Sequence, residues 1–174
     1  MQQTEQLSQI LAELGIASDY AQTHGLPVFE EAETRVSAGP NIIGREQELE
    51  PVTAGKWVAM RQAAQAEGVE LLLVSGYRSY AYQASLIRRK IDAGQGLDEI
   101  LSVNAPPGCS EHHTGRAVDI ATPGVPPLTE AFEKSSAFQW LGLNAGNHGF
   151  SMSYPRDNAF GYIYEPWHWC RPTA

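Results

Sequence analysis

Two short segments of this chain carry side chains that bind metals. Ser110-Glu111-His112-His113-Thr114-Gly115-Arg116-Ala117-Val118-Asp119 offers imidazoles and carboxylates, and Glu165-Pro166-Trp167-His168-Trp169 offers one more of each. A hydrolytic zinc site needs three protein ligands, an open position for water and a general base beside it. The two segments together contain enough donors for all of these, including a spare carboxylate.

Spacing constrains how they could meet. His112 and Asp119 are seven positions apart, a separation that shares a face on a helix. Gly115 and the residues after it favour a turn and a strand instead. On one straight strand an odd spacing would put the two on opposite faces, so a bend at Gly115 is required, which glycine permits. In the second segment Pro166 cannot sit in a central ladder, so the strand there should be at an edge or bulged. A bulge would let Glu165 and His168 point the same way while Trp167 and Trp169 pack elsewhere. The bland alternatives are a solvated loop for the histidine pair and an aromatic strand with one core histidine. A third element is Arg78 in the turn Gly76-Tyr77-Arg78, whose guanidinium fork suits a carboxylate or a surface salt bridge.

The elements that must position these groups follow from periodicity. Leu7, Ile10, Leu11 and Leu14 mark a helix over 4–14 that stops at Gly15. Residues 16–50 read as irregular and acidic. Pro51 and Thr53 open a second helix to about Glu67, with Trp57, Met60, Arg61 and Ala64 on one face. Residues 69–75 read as a buried strand, and Ser79 as the N-cap of a helix to about Ala93. Residues 116–121 read as a strand and 129–145 as a helix that restarts near Ser135-Ser136. Residues 149–154 and 161–170 read as further strands. Helices early and strands late make the class α+β: a small single domain over 1–174, helices packed on a mainly antiparallel sheet. Residues 1–50 form an N-terminal helix and irregular extension, and 51–174 the core.

Composition narrows the partners. The chain has 174 residues and a net charge of −8, which argues against a nucleic-acid or anionic-membrane binder. The longest apolar run, Val69 to Val74, is interrupted by Glu70, so no membrane span is expected. The polar start Met1-Gln2-Gln3-Thr4-Glu5 lacks the marks of a signal peptide. The expected location is cytoplasmic, or periplasmic or extracellular if the chain is a processed form. Cys109 and Cys170 each lie beside one half of the proposed site; they are either two reduced thiols or a disulfide joining the halves.

Taken together, Ser75-Gly76-Tyr77-Arg78-Ser79, Gln83, the Ser110–Asp119 pattern and Glu165-Pro166-Trp167-His168 resemble the VanY-like D-alanyl-D-alanine carboxypeptidases, within the LAS zinc peptidases. The resemblance covers about residues 50–170. It implies a zinc cofactor held by His112, Asp119 and His168, so it selects His112 over His113. It implies Glu165 as general base and Arg78 as the group that stabilises substrate and oxyanion. Ser110 and Gln83 resemble residues that hold the peptide, and Tyr77 a substrate-side residue that shapes the turn. Ser153-Tyr154-Pro155 resembles a family Arg-Tyr-Pro segment with Ser in first place.

The implied activity is release of C-terminal D-alanine from peptidoglycan stem peptides or muropeptides. L,D cleavage of tetrapeptides is slightly favoured, because D,D cleavage in the cytoplasm would consume the pentapeptide precursor. The competing readings are an endopeptidase or endolysin of the same group and a non-catalytic binding module.

Overall fold

The structure, a computed structural model, describes residues 2–172. Helix α1 (Gln2–Glu13) and the short α2 (Tyr20–Thr23) precede a hairpin of β1 (Val36–Pro40) and β2 (Glu46–Leu49). Then follow α3 (Pro51–Ala66), β3 (Leu72–Ser75), α4 (Tyr80–Asp92) and α5 (Leu97–Val103). A 3-10 turn at Glu111–Thr114 leads into β4 (Ala117–Ala121). The chain closes with a 3-10 turn at Glu130–Lys134, α6 (Ser136–Asn144), β5 (Ser151–Met152) and β6 (His168–Cys170). The class is α+β, as expected.

Strands β3, β4, β6 and β5 form one antiparallel sheet in that spatial order. Side chains alternate between its faces. Val118 and Ile120 of β4, Trp169 of β6 and Leu73 of β3 point into the main core, against Trp57, Met60 and Ala64 of α3 and Trp140 and Leu141 of α6. The opposite face carries Ser75, Asp119 and His168 side by side, because Asp119 pairs with Ser75 on β3 and with His168 on β6. A bulge between Leu73 and Ser75 keeps Ser75 in that row. A second cluster joins Leu14 and Ile16 to Ile87 of α4 and Ile100 and Leu101 of α5, and so anchors α4 behind the site.

Local signals explain the helix starts. Ser79 caps α4 by accepting from the Tyr82 amide, and Ser135 caps α6 by accepting from Phe138. Helix α3 begins with Pro51 at its first position, where a missing N–H costs nothing. Its cap is Glu50, whose carboxylate accepts from the amides of Val52 and Thr53.

Four expectations need correction. Residues 16–50 are not wholly irregular: they hold α2 and the β1–β2 hairpin. That hairpin buries little beyond Ala38 and Leu49, so its sequence shows no strong alternation. Its turn is organised by Asn41, whose side-chain oxygen accepts from the amides of Ile43 and Arg45. Helix α5, over a segment given no element from sequence, is one short amphipathic stretch. The strand expected over 161–170 is confined to His168–Cys170. It is an inner strand, between β4 and β5, and Pro166 precedes it in a turn closed by the His168 amide on the Glu165 carbonyl (3.1 Å). The turn, not a bulge or a sheet edge, reconciles the proline with the strand. Finally, Cys109 and Cys170 are both free and buried, so the disulfide reading gives way to separate thiols.

Candidate metal centre

The 3-10 turn and β4 are joined at Gly115, which adopts φ +66°. A Cβ there would lie 2.8 Å from the Glu50 amide nitrogen, and that amide donates to the Gly115 carbonyl at 2.9 Å. Glycine is therefore required twice, for conformation and for close approach. The bend turns the His112 side chain back over the sheet, above Asp119.

The turn at Gly76-Tyr77-Arg78 is laced to the same 3-10 turn. His112 Nδ1 donates to the Gly76 carbonyl at 2.7 Å. The Arg78 amide donates to the His112 carbonyl at 3.1 Å. His113 Nδ1 donates to the Arg78 carbonyl at 2.6 Å, and its Nε2 accepts from the Gly108 amide at 3.1 Å. Both nitrogens of His113 are thus committed to backbone, whereas His112 keeps Nε2 free. On its other side the loop leans on β2: the Tyr77 amide donates to the Glu48 carbonyl, and a Cβ on Gly76 would meet that carbonyl at 2.7 Å.

His112, Asp119 and His168 are all buried, and one ligand atom from each lies within 4.8 Å of the others. His112 Nε2 is 3.2 Å from Asp119 Oδ2, and His168 Nδ1 is 3.0 Å from Asp119 Oδ1. Zinc–ligand bonds of about 2.0–2.1 Å in a tetrahedron place donors roughly 3.4 Å apart. His112 Nε2 is also a buried polar atom with no hydrogen-bond partner among the described residues, and such an atom is costly to leave unmet. Two imidazoles, a carboxylate and an orphaned nitrogen fit zinc.

The remaining expected residues surround this cluster. The Glu165 carboxylate lies 3.9 Å from His168 Nδ1 and is mostly buried. Arg78 spreads its fork over three acceptors: Ser75 Oγ at 2.9 Å, Gln83 Oε1 at 3.4 Å and Asp119 Oδ2 at 2.7 Å. Gln83 also donates to the Ala105 carbonyl. Arg78, Gln83, Ser110, Glu165 and the three buried donors line one cavity of about 280 Å³. Lys90, two helical turns beyond Gln83, lines it too. Tyr77 does not: it lines an adjoining cleft on the far side of Arg78, with Arg35 stacked on its ring at 4.3 Å.

Charge is sorted within the cluster. Burial, reinforced by the Arg78 cation, pushes His112 down to about 4 and keeps it neutral. Burial would raise Asp119, but His112, His168 and Arg78 outweigh it and hold the carboxyl well below its usual range. Burial would lower His168, but its hydrogen bonds to Asp119 and Glu111 raise it to about 10. Burial raises Glu165 to about 7, with His168 opposing. A neutral imidazole and an ionised carboxylate are the forms that bind a metal, so His112 and Asp119 are ready to do so, whereas His168 would release a proton on binding.

Two participants were not singled out from sequence. Glu111 accepts from His168 Nε2 at 2.8 Å and from Ser153 Oγ at 2.6 Å. Tyr154 packs its ring on His168 with centroids 4.7 Å apart. The hint for Glu111 was its place between Ser110 and His112; Tyr154 stood in the Ser153-Tyr154-Pro155 segment that resembles the family, but without a role.

Comparison with known proteins points one way. The family described as VanY, D-alanyl-D-alanine carboxypeptidase, matches residues 46–171. YodJ of Bacillus subtilis is 39% identical over 112 residues, covering 63% of this chain and 41% of that protein. A D-alanyl-D-alanine carboxypeptidase of Enterococcus faecalis is 30% identical over 141 residues, covering 70% of this chain and 51% of that protein. The chain therefore spans about half, or less, of the length of these relatives. Among solved structures, that of the LdcB LD-carboxypeptidase superposes with a TM-score of 0.72 at 33% identity, covering 81% of this chain and 69% of that one. With its His-Asp-His cluster and the matched span, this chain belongs to the VanY family of D-alanyl-D-alanine carboxypeptidases.

Proposed function

We propose that this chain is a zinc-dependent carboxypeptidase domain that releases C-terminal D-alanine from peptidoglycan stem peptides. The observation that carries the reading is the cluster of His112, Asp119 and His168 within 4.8 Å, with the Glu165 carboxylate and the Arg78 guanidinium in the same cavity. Zinc bound there would supply Lewis-acid polarisation of a carbonyl and activation of water at neutral pH.

The chain's own residues do the rest. Glu165, beside the cluster and in a largely dry setting, takes a proton from the attacking water and returns it to the leaving amine. Arg78 places positive charge where the oxyanion develops; removing such a group typically costs about 100-fold or more in rate. Ser110 and Gln83 face the same cavity and hold the peptide end. Lys90 adds a second cation there, compatible with a substrate that ends in a carboxylate.

Within this activity we favour L,D cleavage of tetrapeptides. The likeness to an LD-carboxypeptidase at 33% identity supports it. The D,D reading on pentapeptides is supported by the relative from Enterococcus faecalis. Incubating the zinc-loaded protein with tetrapeptide, pentapeptide and cross-linked muropeptides separates the two. The expected result is free D-alanine, faster from tetrapeptide. Peptide fragments without D-alanine would instead indicate an endopeptidase.

A further inference from the structure

His168 is unusual in having a carboxylate at each ring nitrogen. Nδ1 faces Asp119 Oδ1 at 3.0 Å, and Nε2 faces Glu111 Oε2 at 2.8 Å. Asp119 belongs to the donor cluster; Glu111 lies across the imidazole from it. A carboxylate can only accept, so both nitrogens carry a hydrogen here, Nδ1 donating to Asp119 and Nε2 to Glu111. A metal held together with Asp119 would displace the Nδ1 hydrogen, so that Nδ1 offers its lone pair while Nε2 keeps its hydrogen on Glu111.

Glu111 is itself held. Ser153 Oγ donates to the same Oε2 at 2.6 Å. Its backbone is fixed as the first residue of the 3-10 turn that carries His112. The Tyr154 ring, with centroids 4.7 Å apart, and the His112 ring, with centroids 4.9 Å apart at 77°, pack against the imidazole and restrict it. The ring could still flip over, putting Cδ2 and Cε1 where Nδ1 and Nε2 stand. A fixed acceptor at Nε2 disfavours that flip.

We propose that Glu111 is the positioning residue of the metal centre: by accepting from His168 Nε2, and being braced by Ser153, it fixes the tautomer and orientation that present Nδ1 to zinc. This rests on the zinc reading above. It gives Ser153 a purpose, as the donor that steadies this partly buried carboxylate. Outer partners of this kind typically contribute about 10–100-fold in metal affinity.

The test is Zn2+ affinity, measured by chelator competition on wild type, Glu111→Ala, Glu111→Gln and Ser153→Ala. Alanine should weaken Zn2+ binding about 10–100-fold. Glutamine keeps an acceptor oxygen and should restore affinity to within about 3-fold of wild type. Ser153→Ala should fall between them. Nitrogen-15 spectra of the zinc-loaded wild type and Glu111→Gln should show His168 bound through Nδ1 with a slowly exchanging Nε2–H. Equal affinity in wild type and Glu111→Ala would overturn the proposal, as would a glutamine variant as weak as alanine or coordination through Nε2. If Glu111→Ala does not fold, the glutamine and Ser153 variants decide by the same criteria. A wild type that binds no Zn2+ would overturn the zinc reading itself, a result distinct from these.

Discussion

The carbonyl oxygen of Arg78 accepts a hydrogen bond from Nδ1 of His113 at 2.6 Å. The histidine beside the expected ligand thus holds the backbone of the residue expected to meet the oxyanion. His113 is fully buried, with Tyr80 packed edge-on against its ring at 4.7 Å. Replacing His113 by Ala should release the Arg78 turn and lower kcat/KM by about 10–100-fold, since small misplacements of a reacting group are costly. Zn2+ affinity should change by only a few-fold. His113→Asn retains a side-chain N–H near the Nδ1 position and should recover much of the rate. Steady-state kinetics with a chelator-competition control checks this.

Arg78 itself is bound by geometry that lysine cannot copy. Its Nε and two terminal nitrogens reach Ser75, Gln83 and Asp119. Arg78→Lys keeps the charge but loses the fork, and Arg78→Ala loses both. Both should reduce kcat by about 100-fold or more, with alanine the worse. Lysine at wild-type rate would show that charge alone suffices.

Gly115 links fold to site most tightly. Gly115→Ala forces a side chain into φ +66° and into the Glu50 amide at 2.8 Å. The conformational cost alone is about 1–2 kcal/mol, and the contact adds to it. Denaturant unfolding of the metal-free protein should show a loss of at least about 2 kcal/mol.

Much of this was legible because the signals are local. The Ser79 cap, the Pro51 start and the bend at Gly115 each depend on residues within one turn. The candidate donors were confined to two short segments, the family resemblance chose His112 over His113, and the pairing of Asp119 with His168 is what joins the segments. The less legible parts depend on distant partners. Nothing near Glu111 in sequence says that His168 and Ser153 will meet its carboxylate. Tyr162 and Tyr164 alternate like a strand, yet Glu165 bonds through its amide to the Tyr154 carbonyl and the segment runs as a loop. The hairpin at 36–49 carries Glu46 and Glu48 on exposed positions, so its acidity hid its regularity. Tyr77 sits in the right turn but faces the neighbouring cleft, a direction no spacing rule could give.

Glu50 gives the fold a pH-dependent contribution away from the metal. Burial would raise its carboxyl, but hydrogen bonds from Thr53 and Val52, aided by Arg116, hold it below its ordinary value of 4.5. A lowered folded-state pKa means that its stabilisation is present above about pH 4.5 and is lost as pH falls through the folded value. Glu50→Ala should therefore cost about 1 kcal/mol near pH 7, typical of a lost N-cap. The gap between variant and wild type should close on acidification. Unfolding measured at several pH values checks this; a gap that stays constant would mean that the charge is not involved.

The central claim is that His112, Asp119 and His168 hold the metal while Glu165 moves the proton. The most direct measurement is zinc content and D-alanine release, taken together, for wild type and Glu165→Gln. One zinc per chain is expected in both proteins, with release by wild type and a loss of about 100-fold or more in the variant. Undiminished release by Glu165→Gln, or a wild type that releases D-alanine without binding zinc, would contradict it.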